Sequence, residues 1–300
     1  MDRRFDGVHE DWNTPALDTS NLRPVRPLIG YVTDEGKYTV DLVRVQWRWG
    51  DPIDLYVMKP KGTIKPPVVI YLYGYPSETD TFKDEAYQSV VTKDGFAAVG
   101  FVSALTGHRY HDRPMREWFL SELQECLAAS AHDVQMVLDY LNSRGDLDMT
   151  HVGLFTQGSG ATIGILASAV DARIKVLDAI DPWGDWPKWM ADSAFVPQEE
   201  RANYLKDDFL KKAGTLDPVE WIAKVQAKRF RLQQTAYDLA TPNSSKDKLR
   251  AAVPAGTVTA VYKDEKEYGA ALYGSKQLEW IQRELTALPA PEPNAPLPAP

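Results

Sequence analysis

An uninterrupted apolar run at residues 67–73, Pro-Val-Val-Ile-Tyr-Leu-Tyr, most limits what this chain can fold into. Polar and apolar residues do not alternate in it, so the segment predicts a strand that is buried on both faces. Such strands are typical of the interior of parallel sheets. Parallel neighbours need long crossover connections, which are usually helices, so this run predicts an α/β architecture.

The rest of the chain alternates strand and helix patterns in the same way. The predicted elements are a helix over 83–93, a strand over 96–102, a long helix with an apolar stripe from Phe119 to Leu141 that ends at Gly145, a strand over 152–155, a helix over 160–169, strands over 174–180, 230–235 and 258–262, and a closing helix over 275–288. This order predicts parallel strands joined by right-handed crossovers, with helices on both faces of the sheet.

Before this region, residues 43–58 predict an antiparallel hairpin. Four apolar residues alternate with polar ones in its first strand: Val43, Val45, Trp47 and Trp49. Gly50-Asp51-Pro52 supplies a turn, and Ile53–Met58 runs back as the second strand.

Three segments fall outside this pattern, and they divide the chain into an arm, one domain over 29–288 and a tail. Residues 1–28 are polar and predict either an extended arm over the domain or a disordered terminus. Residues 183–222 predict a small helical lid insertion. Its Trp183, Trp186 and Trp189 favour lid packing, with a ligand or partner surface as the alternative. Residues 289–300, mostly Pro and Ala, predict an extended tether.

Composition excludes several classes of function. The formal net charge of −8 would repel nucleic-acid phosphates, so no nucleic-acid partner is expected. No apolar run is long enough to predict a transmembrane segment. Cys126 is the single cysteine, which excludes an internal disulfide and a cysteine-rich metal site. We expect no metal and no cofactor. The compartment stays open, with the cytoplasm as the default expectation.

Four short motifs carry a resemblance to a known fold. They are Tyr73-Gly74-Tyr75-Pro76, the strand approach over 147–155, Thr156-Gln157-Gly158-Ser159-Gly160-Ala161 and the loop over 236–242. In order and spacing the chain resembles the α/β-hydrolase fold, in its dienelactone-hydrolase or acetyl-esterase-like branch, over about residues 53–285. The resemblance implies a mostly parallel twisted sheet with an N-terminal antiparallel hairpin, helices on both faces and a helical lid. It also implies a Ser-His-Asp triad.

The nucleophile position of that triad falls on Gly158. The turn that holds the nucleophile needs small residues two positions away on each side, and Thr156 and Gly160 meet this requirement. If Ser159 were the nucleophile instead, the long side chain of Gln157 would crowd the crossing point. Glycine has no oxygen with which to attack a carbonyl, so the favoured register removes ordinary nucleophilic catalysis.

The general base is also missing from its expected loop. The resemblance places a histidine after the last strand, but no histidine follows His151. Asp238 remains at the acid position. Without a histidine to orient, we interpret it as a turn residue whose carboxylate bonds nearby backbone.

A rebuilt site is the alternative. His108 and His111 lie in a loop after the strand over 96–102, where either could act as a base for Ser159 with Asp238 or Asp181 orienting it. The same loop could be held by Arg–Asp pairs with no catalytic role, and its spacing is not specific for metal. The backbone N–H groups of Tyr75 and Ser159 could still form an oxyanion-type site.

The leading functional hypothesis is therefore an α/β-hydrolase-like protein without serine-hydrolase activity, acting as a binding or assembly subunit. The alternative is a carboxylic-ester hydrolase with a displaced triad built on Ser159. The sequence leaves open a protein partner, self-association, and a small carboxylate or ester ligand.

Overall fold

A computed structural model of the protein describes residues 3–74, 80–104, 120–272 and 276–289. Within these ranges, nine strands form one sheet in the order β1-β2-β3-β5-β4-β6-β7-β8-β9. The strands are β1 Leu28–Asp34, β2 Tyr38–Gln46, β3 Pro52–Pro60, β4 Pro67–Leu72, β5 Ala97–Gly100, β6 Asp148–Gln157, β7 Ile174–Ile180, β8 Arg229–Thr235 and β9 Val258–Tyr262.

The sheet is antiparallel at one edge and parallel elsewhere. The pairs β1–β2, β2–β3 and β3–β5 are antiparallel. From β5 to β9 every neighbouring pair is parallel. The predicted fold class is confirmed, and β1 extends the predicted hairpin by one strand. Trp49 does not continue the alternation of the first hairpin strand as predicted, because β2 ends at Gln46 and Trp49 lies 56% exposed in the turn.

Helices cover both faces of the sheet. In chain order they are α1 Asp80–Lys83, α2 Glu85–Thr92, α3 Leu123–Arg144, α4 Ser159–Val170, α5 Trp186–Asp192, α6 Arg201–Tyr204, α7 Asp207–Gly214, α8 Pro218–Trp221, α9 Asn243–Ala252, α10 Glu265–Leu272 and α11 Lys276–Thr286, with short 3-10 turns at Arg3–Phe5 and Ile222–Lys224. Helices α5 to α8 fall in the segment that the sequence predicted to be a lid.

Strand β4 shows why the apolar run is continuous. Its Val68 and Ile70 belong to the core that packs under α3 and α4. Its Val69 and Tyr71 belong to a second core, on the opposite face under α2 and α11. Successive side chains of a strand point to opposite faces, so a strand covered on both sides needs apolar residues at every position.

The N-terminal segment packs against the domain through a buried charge cluster. The guanidinium of Arg48 donates to both carboxylate oxygens of Glu10, at 2.5 and 2.6 Å. His132 Nδ1 lies 2.6 Å from Glu10 Oε1, and the ring is fully buried. Gln135 Nε2 donates to the carbonyl of Pro15 at 2.7 Å. The segment therefore lies across α3. No helix in the part of the chain that the structure describes is both long and apolar enough to cross a membrane.

Candidate functional site

The turn between β6 and α4 lies at the carboxyl ends of the parallel strands. Gly158 is its apex and the N-cap of α4, with φ 56° and ψ −126°. Residues with a side chain rarely adopt this conformation. A Cβ built on Gly158 would lie 3.4 Å from Gly74 Cα and 3.8 Å from Trp183 Nε1. There is room for a side chain at this position, but the backbone would be strained.

Contact with β4 explains the small residues around the apex. A Cβ on Gly160 would lie 2.2 Å from the carbonyl oxygen of Leu72. A Cβ on Gly74 would lie 2.9 Å from the carbonyl oxygen of Gln157. The start of α4 and the end of β4 thus touch backbone to backbone, which only glycine permits at these two positions.

Ser159 occupies the first turn of α4 and is fully buried. It is not among the residues that line the adjacent cavity, whereas Gly158 is. In this structure the residue without a side-chain oxygen lines the cavity, and the serine next to it has no solvent-exposed surface.

A cavity of about 490 Å³ opens above this turn. Its walls combine aromatic rings, two carboxylates and short polar groups. The lining residues are Gly74, Gln157, Gly158, Asp181, Trp183, Phe195, Thr235, Tyr237, Asp238, Leu239, Ala240 and Tyr268. The described lining holds two acidic side chains and no basic one, and Lys246 Nζ lies 3.7 Å from one of them, Asp238.

Trp183 forms the wall next to Gly158, and its position is fixed from both sides. Thr162 of α4 accepts from the Trp183 N–H and donates to its carbonyl, both at 2.9 Å. The ring stacks on Trp189 at 5.1 Å and packs on Phe195 at 5.2 Å between centroids.

Asp181 also has positive φ, 47°. Such strained backbone persists only where its surroundings hold it, and it is concentrated at ligand sites.

Asp181 is the most perturbed acid of the cavity. Its carboxylate accepts from the Thr235 N–H at 2.7 Å and from the Thr235 hydroxyl at 2.9 Å. Burial raises the pKa of Asp181 to about 6, against these hydrogen bonds, and the negative charge of Asp238 adds to the rise. Asp181 can therefore exchange a proton near neutral pH.

Asp238 makes the contacts of a turn residue. Its carboxylate accepts from the N–H groups of Ala240 at 3.0 Å and Thr241 at 3.3 Å. Lys246 Nζ lies 3.7 Å from Asp238 Oδ2 and donates to the Thr235 and Asp238 carbonyls. The carboxylate lines the cavity, but its hydrogen bonds stabilise the loop after β8.

Tyr268 lies in the region after β9 where the resemblance places a histidine. Gln157 Nε2 donates to its hydroxyl at 3.4 Å. Burial, followed by the negative charge of Asp181, raises the pKa of Tyr268 to about 12. The phenol therefore stays protonated at neutral pH and cannot replace an imidazole as a general base.

The other predicted residues are placed as follows. Tyr75, His108 and His111 lie outside the described residues. His151 is remote from the cavity and bonds Asp148, with Nδ1 2.8 Å from Oδ2. Trp186 and Trp189 are fully buried, so their rings present no surface to a partner. Across the described ranges, no group of three or more His, Cys, Asp or Glu side chains is placed to hold a metal ion.

Sequence reasoning missed part of the cavity wall. The missed residues are Phe195, Thr235 and Tyr268, whereas Tyr237 and Leu239 belong to the loop over 236–242 that the sequence analysis singled out. Only Tyr268 carried a usable signal, because it follows the last predicted strand, where a triad residue is expected. Phe195 is brought next to Leu239 by a backbone hydrogen bond of its neighbour: the Ala194 N–H donates to the Leu239 carbonyl at 3.1 Å. No local pattern announces such a contact.

Comparison with solved structures identifies the architecture. An acetyl xylan esterase from Paenibacillus sp. R4 aligns with a TM-score of 0.66 at 15% identity, covering 87% of this chain and 89% of that one. Acetyl xylan esterase 1 from Thermoanaerobacterium sp. JW/SL YS485 aligns at 0.65 and 14%, covering 86% and 88%. A cold-adapted esterase from an Arctic intertidal metagenomic library aligns at 0.59 and 11%, covering 85% and 98%.

No protein-family model and no curated protein sequence matches the chain. At these identities the structural likeness establishes the fold and not the activity. The strand order, the turn before α4 and the aligned structures agree, and the chain has the α/β-hydrolase fold.

Proposed function

We propose that this protein binds a small ligand in the cavity above Gly158 and does not cleave it by serine catalysis. The observation that supports this most is the position of Gly158. It lines the cavity at the turn apex, where the fold would present a nucleophile, and it has no side chain to attack with. Ser159, next to it, is fully buried.

The charges of the described lining bear on the class of ligand. Asp181 and Asp238 both face the cavity, so a carboxylate ligand would meet like charges. Trp183, Phe195 and Tyr268 offer aromatic surface for flat or apolar groups. An uncharged ester or amide fits this combination better than the free acid.

Covalent labelling tests the absence of a nucleophile. We expect a fluorophosphonate probe to label the wild-type protein no more than Ser159→Ala, and hydrolysis of p-nitrophenyl acetate to be equal in both. Stoichiometric labelling of Ser159, with turnover that disappears in Ser159→Ala, would overturn the proposal. The same experiment judges the alternative, an ester hydrolase using Ser159 and a loop histidine, which the esterase names of the aligned structures favour only weakly.

Calorimetric titration tests the ligand class with two matched probes. Acetanilide is uncharged, and phenylacetate is a carboxylate of similar size. We expect acetanilide to bind more tightly than phenylacetate near neutral pH, and Asp181→Asn to narrow that difference. Equal binding of the two probes to wild type, or a preference for phenylacetate, would contradict the expected selectivity while leaving the labelling result unaffected.

A further inference from the structure

Strand β1 is an exposed apolar edge. It is the outermost strand of the sheet, and within the described chain its only hydrogen-bonded neighbour is β2. All seven of its residues are exposed, among them Leu28, Ile29, Tyr31 and Val32. Proteins usually protect such an edge with lysine, proline or an inward-pointing charge, or they cover it. Leu28–Thr33 contains no charge and no proline, so the protection of this edge is limited to Asp34 at its end and a register irregularity between Ile29 and Tyr31.

The register with β2 shows that β1 extends both apolar layers of the domain. Ile29 pairs with Val43, which belongs to the core under α3. Tyr31 pairs with Leu42, which packs against the core on the opposite face. Directly paired residues point to the same side of a sheet. A further strand added at this edge would therefore cover apolar side chains on both faces.

Charges at the two ends of β1 are complementary when two copies run antiparallel. Arg26 precedes the strand and Glu35 follows it, and both are exposed. Asp34 is already paired with Lys61 at 2.5 Å. Lys37 lies beyond the turn, just before β2. An antiparallel β1–β1 pair brings Arg26 of each copy to the Glu35 end of the other, so the favourable contact occurs twice.

We propose that β1 pairs with β1 of a second copy about a two-fold axis, joining the two sheets into one. An isologous contact of this kind is closed and self-complementary. It pairs the β1 edge of each copy with that of the other, and the association stops at two copies. The inference rests on the sheet edge and is independent of the cavity and of its proposed function.

Light scattering coupled to size exclusion tests the pairing across a wide range of protein concentration. We expect wild type to be a dimer and Val32→Lys to be a folded monomer with an unchanged circular dichroism spectrum, because Val32 is 62% exposed. Ile64→Lys is the matched control. Ile64 is 92% exposed in the turn between β3 and β4, away from the edge, so this variant should stay dimeric.

A charge exchange tests the antiparallel direction. Arg26→Glu should weaken the dimer by about tenfold in the dissociation constant, and the double variant Arg26→Glu with Glu35→Arg should restore it. A wild-type protein that is monomeric at every concentration would refute the proposal. So would a dimer that neither Val32→Lys nor Arg26→Glu weakens, since association would then use another surface.

Discussion

At the scale of single residues, Gly158 combines a backbone requirement with a chemical consequence. Its φ of 56° suits glycine, and glycine contributes no side-chain oxygen to the cavity that it lines. The two properties are separable, because the space around Gly158 would admit a Cβ. The position tolerates a side chain sterically and resists it conformationally.

We therefore expect Gly158→Ala to lower the free energy of unfolding by about 1–2 kcal/mol, through backbone strain alone. Gly214→Ala is the control. Gly214 ends α7 with nothing within 4 Å of its notional Cβ, so that variant should be neutral or slightly stabilising. Urea unfolding of both variants makes the comparison. Equal stability of the two would mean that the turn relaxes at no cost.

Asp181 gives a second prediction at this scale. Burial raises its pKa from 3.8 to about 6, so the folded protein holds a proton in that interval that the unfolded chain has lost. The wild type consequently loses stability as the pH rises through this window. Asp181→Asn carries no charge, and its amide can still bond both groups of Thr235. It should be more stable than wild type by up to about 3 kcal/mol above the window and equal below it.

Thermal melts at several pH values check this prediction. Asp192→Asn serves as the control, because Asp192 is an exposed carboxylate paired with Lys188. Its effect should not vary across the same window. An Asp181→Asn variant that is equally stable relative to wild type at every pH would show that the carboxylate is not strained by burial.

At the scale of elements, the contact between α4 and the central strands depends on two glycines. A Cβ on Gly160 would overlap the Leu72 carbonyl at 2.2 Å, and one on Gly164 would meet Thr156 Cγ2 at 2.8 Å. The first obstacle is backbone in the centre of the sheet. The second is the buried side chain of Thr156, whose hydroxyl donates to the Asp178 carbonyl at 3.0 Å and which can shift by less than a full rotation. An alanine at position 160 would therefore require a larger movement of the neighbouring element than an alanine at position 164.

We expect Gly164→Ala to cost about 1–3 kcal/mol and Gly160→Ala to cost more, enough to reduce soluble expression. Soluble yield and chemical unfolding of the two variants rank them. If Gly160→Ala were the milder change, α4 would have to shift away from β4, and the register of the turn around Gly158 would need to be reconsidered.

The sequence predicts some elements to the residue and misses others for identifiable reasons. The strands over 174–180 and 258–262 and the helix end at Gly145 were predicted at the observed positions, because an apolar run or a left-handed glycine marks each one. Strand β1 was missed because Gly30 interrupts its apolar residues, at the point where its register with β2 shifts. Helix α9 was missed because polar residues dominate it, and α10 was missed because Leu272 is its one buried residue.

The candidate site also contains residues that the sequence predicts and residues that it does not. Spacing around small residues placed Gly158 at the turn, since that constraint is local. The turn contacts of Asp238 were also expected from its sequence context. Trp183 was singled out from the sequence, but its meeting with Phe195 and Leu239 in one cavity wall could not be predicted, because the three residues meet only after the segment over 183–222 folds onto the loop after β8. Non-local contacts of this kind leave no periodic signal in the chain.

At the scale of the whole molecule, the N-terminal segment ties together the antiparallel edge and α3. Arg48 follows β2, Asp133 and His132 belong to α3, and Glu10 comes from the segment itself. Trp47 Nε1 also donates to Asp133 at 2.8 Å. A buried guanidinium held by several carboxylates tolerates the loss of one partner poorly, since its donors cannot reach water.

This cluster makes the N-terminal segment part of the folded unit, and Glu10→Gln tests that. Burial would raise the pKa of Glu10, but hydrogen bonds from Arg48 and His132 outweigh it and lower the pKa to about 2 from 4.5. The stabilisation is therefore complete above pH 4.5 and is lost as the pH falls towards about 2. We expect Glu10→Gln to cost about 2 kcal/mol near neutral pH.

The difference in unfolding free energy between wild type and Glu10→Gln should shrink as acid protonates Glu10. A contribution from packing alone would not depend on pH in this way. Asp34→Asn is the matched control, because Asp34 and Lys61 form an exposed pair whose loss should change stability less than the loss of a buried pair. Chemical unfolding at neutral and acidic pH measures both variants. If Glu10→Gln were as stable as Asp34→Asn at neutral pH, Asp133 and Asp51 would be sufficient to pair the guanidinium of Arg48, and the N-terminal segment would not be needed for that.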